Sequence, residues 1–221
     1  MKPCLRYLLH YFASVDQETT RDGVYHHLTS IGQPFAPSNL CLAADGLFQL
    51  DCLGLLNHAG VFCDVGSADG RVVALSAACL GIPSLGIEYD HYLVKISKRS
   101  ILRLRTAGVI RGGVPASIIE GDFCGPEAYV TVPFGTIATF YCFESNCYCV
   151  AERIVNESPT GTLFVYFTQS DHARFRGLER LKKIDLPSTS LRPYFMYAFS
   201  KSTTAQTHSR GENPQRMVQD S

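Results

Sequence analysis

Apolar side chains along this chain fall into two alternating rhythms. Leu42, Leu47, Leu50, Leu53 and Leu56 spread at helical spacing through residues 40–56, after Ser38, a residue suited to an N-cap. Val61-Phe62-Cys63-Asp64-Val65 is instead a short, nearly unbroken apolar run, the pattern of a strand buried on both faces. Gly66 to Gly70 interrupts it, and Val72, Leu75 and Cys79 resume as a helix closed by Gly81 and Pro83. Leu85-Gly86-Ile87 predicts a second strand ending in Glu88, and a long helix follows from His91 to about Ala107, stopped by Gly108. Further strands are expected over residues 117–119, 136–143 and 163–168, with a helix over 147–156 and a turn at Pro159-Thr160-Gly161. Past Thr168, residues 181–186 and 194–200 read as two strands of a closing hairpin.

Strands alternating with helices at this spacing predict an α/β fold: a Rossmann-like, doubly wound, mostly parallel sheet ending in an antiparallel hairpin. The domain is expected over residues 33–201, behind a helical extension at 1–32 and before a polar tail at 202–221 that should be disordered. In the extension, Leu5, Leu8, Leu9 and Phe12 share a helical face beside Lys2 and Arg6. That pattern predicts an amphipathic helix docked on the domain; a mitochondrial presequence carries the same pattern. No apolar run approaches the roughly 20 residues of a membrane span, so no membrane partner is expected.

Composition narrows the class. Of 221 residues, 46% are apolar and 18% charged, which suits a packed globular domain. Twenty basic residues balance twenty acidic ones, but unevenly: residues 1–90 hold nine acids and four bases, and residues 91–119 hold six bases and no acid. The nine cysteines include no Cys-x-x-Cys pair, and most lie among apolar neighbours. Reduced core thiols in the cytosol or nucleus are the expectation. Cys142, Cys147 and Cys149 lack the spacing of a structural zinc site, so no metal is expected.

In an open α/β sheet, ligands bind beyond the carboxyl ends of the strands. Four features fall there. The glycine-bearing turn Asp64-Val65-Gly66-Ser67-Ala68-Asp69-Gly70 lets backbone approach a ligand. Glu88, 22 residues past Gly66, is placed to accept both hydroxyls of a ribose. Asp122-Phe123 follows the third strand, placed for an adenine amino group and ring face. Tyr141 to Asn146 follows the fourth, where a transferred group would lie. The spacing Gly66-x-x-x-Gly70 offers no pyrophosphate grip, and an acidic loop with Asp69 suits a cationic sulfonium.

These motifs carry a resemblance. Pro34-Phe35-Ala36-Pro37, the stretch from Asp64 to Val73, Gly86-Ile87-Glu88 and Gly121-Asp122-Phe123 resemble the class I S-adenosylmethionine-dependent methyltransferases. Within them the chain is most similar to the seven-strand lysine methyltransferases, including the disruptor-of-telomeric-silencing histone enzymes. The resemblance runs from about Gln33 to Lys201. It implies S-adenosylmethionine as cofactor, with Asp64, Gly66, Ser67 and Gly70 along the methionine part, Glu88 on the ribose, and Asp122 and Phe123 framing the adenine. Three departures stand out: Ala68 replaces a usual glycine, Pro34-Phe35-Ala36-Pro37-Ser38 replaces Tyr-Gly-Glu, and Phe140-Tyr141-Cys142-Phe143 replaces an Asn pair. No Asn/Asp-Pro-Pro-Tyr follows the fourth strand, which argues against the amino-methylating nucleic-acid and glutamine enzymes.

The expected activity is protein-lysine N-methylation, with a core histone as substrate and chromatin as setting. Phe35, Tyr141 and Phe143 would line an aromatic channel that desolvates the lysine, and Tyr141 or Glu144 would take a hydrogen bond from the amine. Asn146 reads as a helix cap. Lys95, Arg99 and Arg103 share one helix face, either solvated or docked on nucleic acid, and Arg174, Arg176, Arg180, Lys182 and Lys183 form a second basic stretch. Methylation of RNA or a small molecule, and cofactor binding without turnover, are the alternatives.

Overall fold

The computed structural model describes residues 2–21, 24–25, 36–144, 147–187 and 192–201. Phe35, Asn146 and the polar tail, all singled out from the sequence, lie outside the described residues. The seven-stranded sheet is built from β1 (Val61–Val65), β2 (Ser84–Glu88), β3 (Ala116–Glu120), β4 (Ile137–Phe143), β5 (Leu163–Thr168), β6 (Leu178–Leu186) and β7 (Tyr194–Lys201). Its order is β3-β2-β1-β4-β5-β7-β6. The first five strands pair in parallel, whereas β7 runs antiparallel to both β5 and β6. This is the expected α/β architecture with its closing hairpin.

Helices α1 (Pro3–Thr19), α2 (Leu40–Cys52), α3 (Arg71–Leu75) and α4 (His91–Thr106) share one core with the sheet. A second core, on the other side of the sheet, packs α5 (Tyr148–Glu157) and short 3-10 turns at Pro126–Tyr129 and Phe134–Thr136. Alternation explains the division. Along β4, Phe140 and Cys142 enter the α5 core and Tyr141 the other, because neighbouring strand residues point to opposite faces.

Local chemistry sets the ends of the elements. The cap of α2 is Asn39 rather than Ser38: its Oδ1 accepts from the Leu42 N–H at 3.2 Å. Asp90 caps α4 through the N–H groups of Tyr92 and Leu93. Past Leu75, α3 widens into a π-type turn over Ser76–Leu80 that stops at Gly81, with φ of 73°. The N-terminal helix docks as its apolar stripe suggests, burying Leu5, Leu8, Phe12 and Val15.

The cysteine expectation needs correcting. Cys124, just after β3, and Cys149, on α5, form a disulfide, while Cys4, Cys41, Cys52, Cys63, Cys79, Cys142 and Cys147 stay outside any disulfide. Sequence spacing hides this pair, because 25 residues separate partners that the 3-10 turns and β4 fold back together.

Candidate active site

The loop between β1 and α3 is tied down from below. The N–H groups of Gly66 and Ser67 both donate to the Ile87 carbonyl, at 2.9 and 3.0 Å, so neither is left bare for a ligand. Gly70 N–H closes the turn on the Ser67 carbonyl at 2.8 Å. The Ser67 side chain is buried beneath the loop against Gly86, where an added Cβ would lie 2.5 Å from its Oγ. Its hydroxyl is therefore closed off from the crevice, contrary to the expectation that it lines the methionine part. Ala68 does not keep ordinary backbone: its φ is +49°, in the left-handed region.

Glu88 fastens this loop to the end of β2. One carboxylate oxygen accepts from Ala68 N–H and the other from Asp90 N–H, both at 2.8 Å. Burial raises its pKa, and those N–H groups partly offset the rise. Asp64, on β1, is also buried. Its pKa is raised first by burial, then by the nearby charges of Glu88 and Asp69. The result is a pair of crowded acidic groups, which a cation or a set of hydroxyl donors would relieve.

Asp69 turns away from the crevice. Its carboxylate grips Arg71, Oδ1 to Nε at 3.0 Å and Oδ2 to Nη2 at 2.6 Å. The acidic loop read from the sequence therefore contributes one less free charge than expected. Arg71 lies within the stretch from Asp64 to Val73, but its pairing with Asp69 has no sequence signal beyond proximity.

Beyond β3, Asp122 is exposed, and its Oδ1 accepts from Cys124 N–H at 2.9 Å in a tight turn. Phe123 is half-buried against the α5 core, and its carbonyl accepts from Tyr129 Oη at 2.8 Å. Gly121 N–H bonds the Glu88 carbonyl at 2.9 Å, which holds this turn beside the end of β2.

The fourth strand corrects two expectations. Tyr141 is fully buried and packs on Phe62 with ring centroids 5.9 Å apart, so it forms core and not channel wall. Its pKa is raised by burial and then by Asp64, its parallel partner across the ladder. Glu144 is exposed with φ of +49°, and its carboxylate accepts from the Gln169 N–H, which ties the end of β4 to the end of β5. Phe143 is half-buried and packs against the core on the α1–α4 side of the sheet. Phe167 lies 5.0 Å from it and Tyr194 6.3 Å, with 5.2 Å between those two rings. Neither Phe167 nor Tyr194 was legible as part of this group, because β7 reaches that end of the sheet only through its antiparallel return.

No protein-family model matches the chain, and no curated protein matches it. Solved structures do. The RNA methyltransferase of Salinibacter ruber, solved with S-adenosyl-L-homocysteine, is 18% identical with a TM-score of 0.56, over 83% of this chain and 100% of that one. The fold is that of the class I methyltransferases. The magnesium protoporphyrin IX methyltransferase of Synechocystis, solved with S-adenosylmethionine, is 12% identical (TM-score 0.55) over 91% of this chain and 99% of its own. The rRNA methyltransferase aviRa of Streptomyces viridochromogenes is 12% identical (TM-score 0.55), over 74% and 86%. In a class I methyltransferase fold the strand order reverses between β1 and β4, and Asp64 and the glycine loop stand at that switch point.

Among the described residues no group of His, Cys, Asp and Glu could hold a metal ion. Lys95, Arg99 and Arg103 are exposed on α4, but Arg99 pairs with Glu18 of α1 at 3.1 Å.

Proposed function

We propose that the chain is an S-adenosylmethionine-dependent methyltransferase that acts on an amine nitrogen, with a protein lysine as acceptor. The observation that carries the cofactor is the crowding of Asp64 and Glu88 at the switch point, where burial disfavours both anions. When bound, S-adenosylmethionine supplies a methyl group on a positively charged sulfur. Asp64 is the residue to balance positive charge on the methionine side. Glu88, fixed at the end of β2 by Ala68 and Asp90, is the residue to receive ribose hydroxyls, and Phe123 offers a ring face beside the exposed Asp122. The complexes of the Salinibacter and Synechocystis enzymes support the same cofactor.

The acceptor reading rests on the half-buried rings of Phe143 and Tyr194 at the ends of β4 and β7, backed from the core by the fully buried Phe167 of β5. Ring faces attract an alkylammonium group, and removal from water lowers a lysine pKa from about 10.4 toward neutrality. A neutral amine is what an in-line displacement requires, and no side-chain base need touch it once positioned. A core histone is the substrate that the family resemblance suggests; no residue of the described site selects it.

RNA is the second reading. Exposed Arg174, Arg176, Arg180 and Lys182 flank or lie on edge strand β6, and two of the similar structures are RNA methyltransferases. A nucleobase would stack on the same aromatic wall. Binding without turnover is the reading that the engagement of Glu144 with Gln169 leaves open. One assay separates all three: tritiated methyl donor offered to nucleosomes, free histones, a protein extract and total RNA. Label on lysine supports the proposal, and label on RNA alone overturns its acceptor. Calorimetric cofactor binding with no label on any substrate identifies a binding protein.

A further inference from the structure

The N-terminal helix reaches the cofactor loop through one buried guanidinium. Arg71, the first residue of α3, is almost wholly buried. Its Nη2 lies 2.6 Å from Asp69 Oδ2 and 2.6 Å from Asp16 Oδ1, on α1. Its Nη1 donates to the Ser38 carbonyl at 3.3 Å, and its guanidinium carbon stands 5.3 Å from the Phe12 ring. Burial would lower the Arg71 pKa, but Asp69 and Asp16 more than compensate and hold it firmly protonated.

Asp69 is the hinge of this arrangement. It sits between Ala68 and Gly70, both at positive φ, and its Oδ1 also accepts from Arg71 N–H at 3.2 Å. A non-glycine residue persists at positive φ only where its surroundings over-determine it. Ala68 in turn donates its N–H to Glu88. A continuous path of contacts therefore runs from Asp16 through Arg71, Asp69 and Ala68 to Glu88.

We infer that Asp16 and Arg71 are positioning residues for the cofactor site, and that α1 is a working part of that site. The inference rests on reading the crevice as the cofactor site. Asp16 acts by fixing where the Arg71 guanidinium holds Asp69. Without it, the guanidinium keeps Asp69 and the Ser38 carbonyl but loses its anchor on α1. The left-handed Ala68 then loses a constraint, and the Glu88 carboxylate loses a fixed neighbour.

The test is calorimetric affinity for S-adenosylhomocysteine on the full chain. Glu18→Gln is the matched control: it removes one carboxylate from the same helix and one ion pair, with Arg99 on α4, but has no link to the loop. Asp16→Asn is expected to weaken affinity by about 3- to 10-fold, the equivalent of roughly one ordinary hydrogen bond, because the effect reaches the site only through Arg71 and Asp69. Asp16→Glu should recover most of that loss, and Glu18→Gln should bind as wild type does. In a double-mutant cycle, Asp16→Asn and Arg71→Lys should combine to less than the sum of their separate effects. Equal affinities for Asp16→Asn and wild type overturn the inference, as does an equal loss in Glu18→Gln. If wild type itself fails to bind, the cofactor reading falls and the inference falls with it.

Discussion

Asp64 carries a conflict between stability and binding. Its raised pKa, like that of Glu88, means that the folded protein holds protons that the unfolded chain would release. The stability these carboxyls give is complete below the ordinary carboxylate range and is lost as pH rises through the raised values. Asp64→Asn removes that loss for one group. Without ligand, the variant should melt above wild type near neutral pH, with the gap closing toward about pH 4. Melting curves across that range check this, and a gap independent of pH would show that Asp64 is not the titrating group. The same variant should lose measurable affinity for S-adenosylhomocysteine. Ala68 carries a second conflict. A left-handed alanine costs about 1–2 kcal/mol, partly offset in a glycine variant by the entropy of the unfolded chain. Ala68→Gly should therefore be neutral or stabilising by up to about 1 kcal/mol, while Ala68→Val should destabilise by more than that. Denaturant melts of the two variants measure the difference. Asp69 shows the limit of reading at this scale: its acidity is plain in the sequence, but its main partners, Arg71 and through it Asp16, meet across 55 positions.

The disulfide joins the turn after β3 to α5. Cys124 follows Asp122 and Phe123, and Cys149 lies in the first turn of α5, after β4. Across 25 residues such a cross-link contributes about 3 kcal/mol through the unfolded state. Reduction, or Cys124→Ser, should lower the denaturation free energy by about that amount. Thiol titration of the unfolded, unreduced protein should find seven thiols, and nine after reduction; nine before reduction would refute the pairing. Elements were legible where one periodicity ran undisturbed. Strand β5 appears in the sequence at its observed bounds, and α4 differs by one residue, because apolar runs and a glycine stop leave little choice. The 3-10 turns at Pro126–Tyr129 and Phe134–Thr136 had no such signal, since three- and four-residue helices are too short to show a period. Strand β6 begins three residues earlier than its apolar pattern suggests, at Leu178, because ladder bonding to β7 continues through exposed Glu179 and Arg180.

At the scale of the molecule, α1 belongs to the same core as the sheet. Leu8 and Phe12 are fully buried among residues of α2 and α3. Phe12→Ala should cost about 3–5 kcal/mol and shift the whole unfolding transition, not a separate early one. Differential scanning calorimetry distinguishes the outcomes; an independent low-temperature peak would mean that α1 unfolds on its own. The two halves of the sheet divide the work differently. The residues proposed for the donor lie on β1, β2 and the turn after β3, all before residue 125, whereas the rings proposed for the acceptor, Phe143 and Tyr194, come from later strands with Phe167 behind them. The antiparallel return of β7 brings Tyr194 to the edge where β4 and β5 end. That arrangement makes the chain modular. On the proposed function, mutational drift in its second half retunes which molecule is modified while the residues assigned to the methyl donor, encoded upstream, stay as they are.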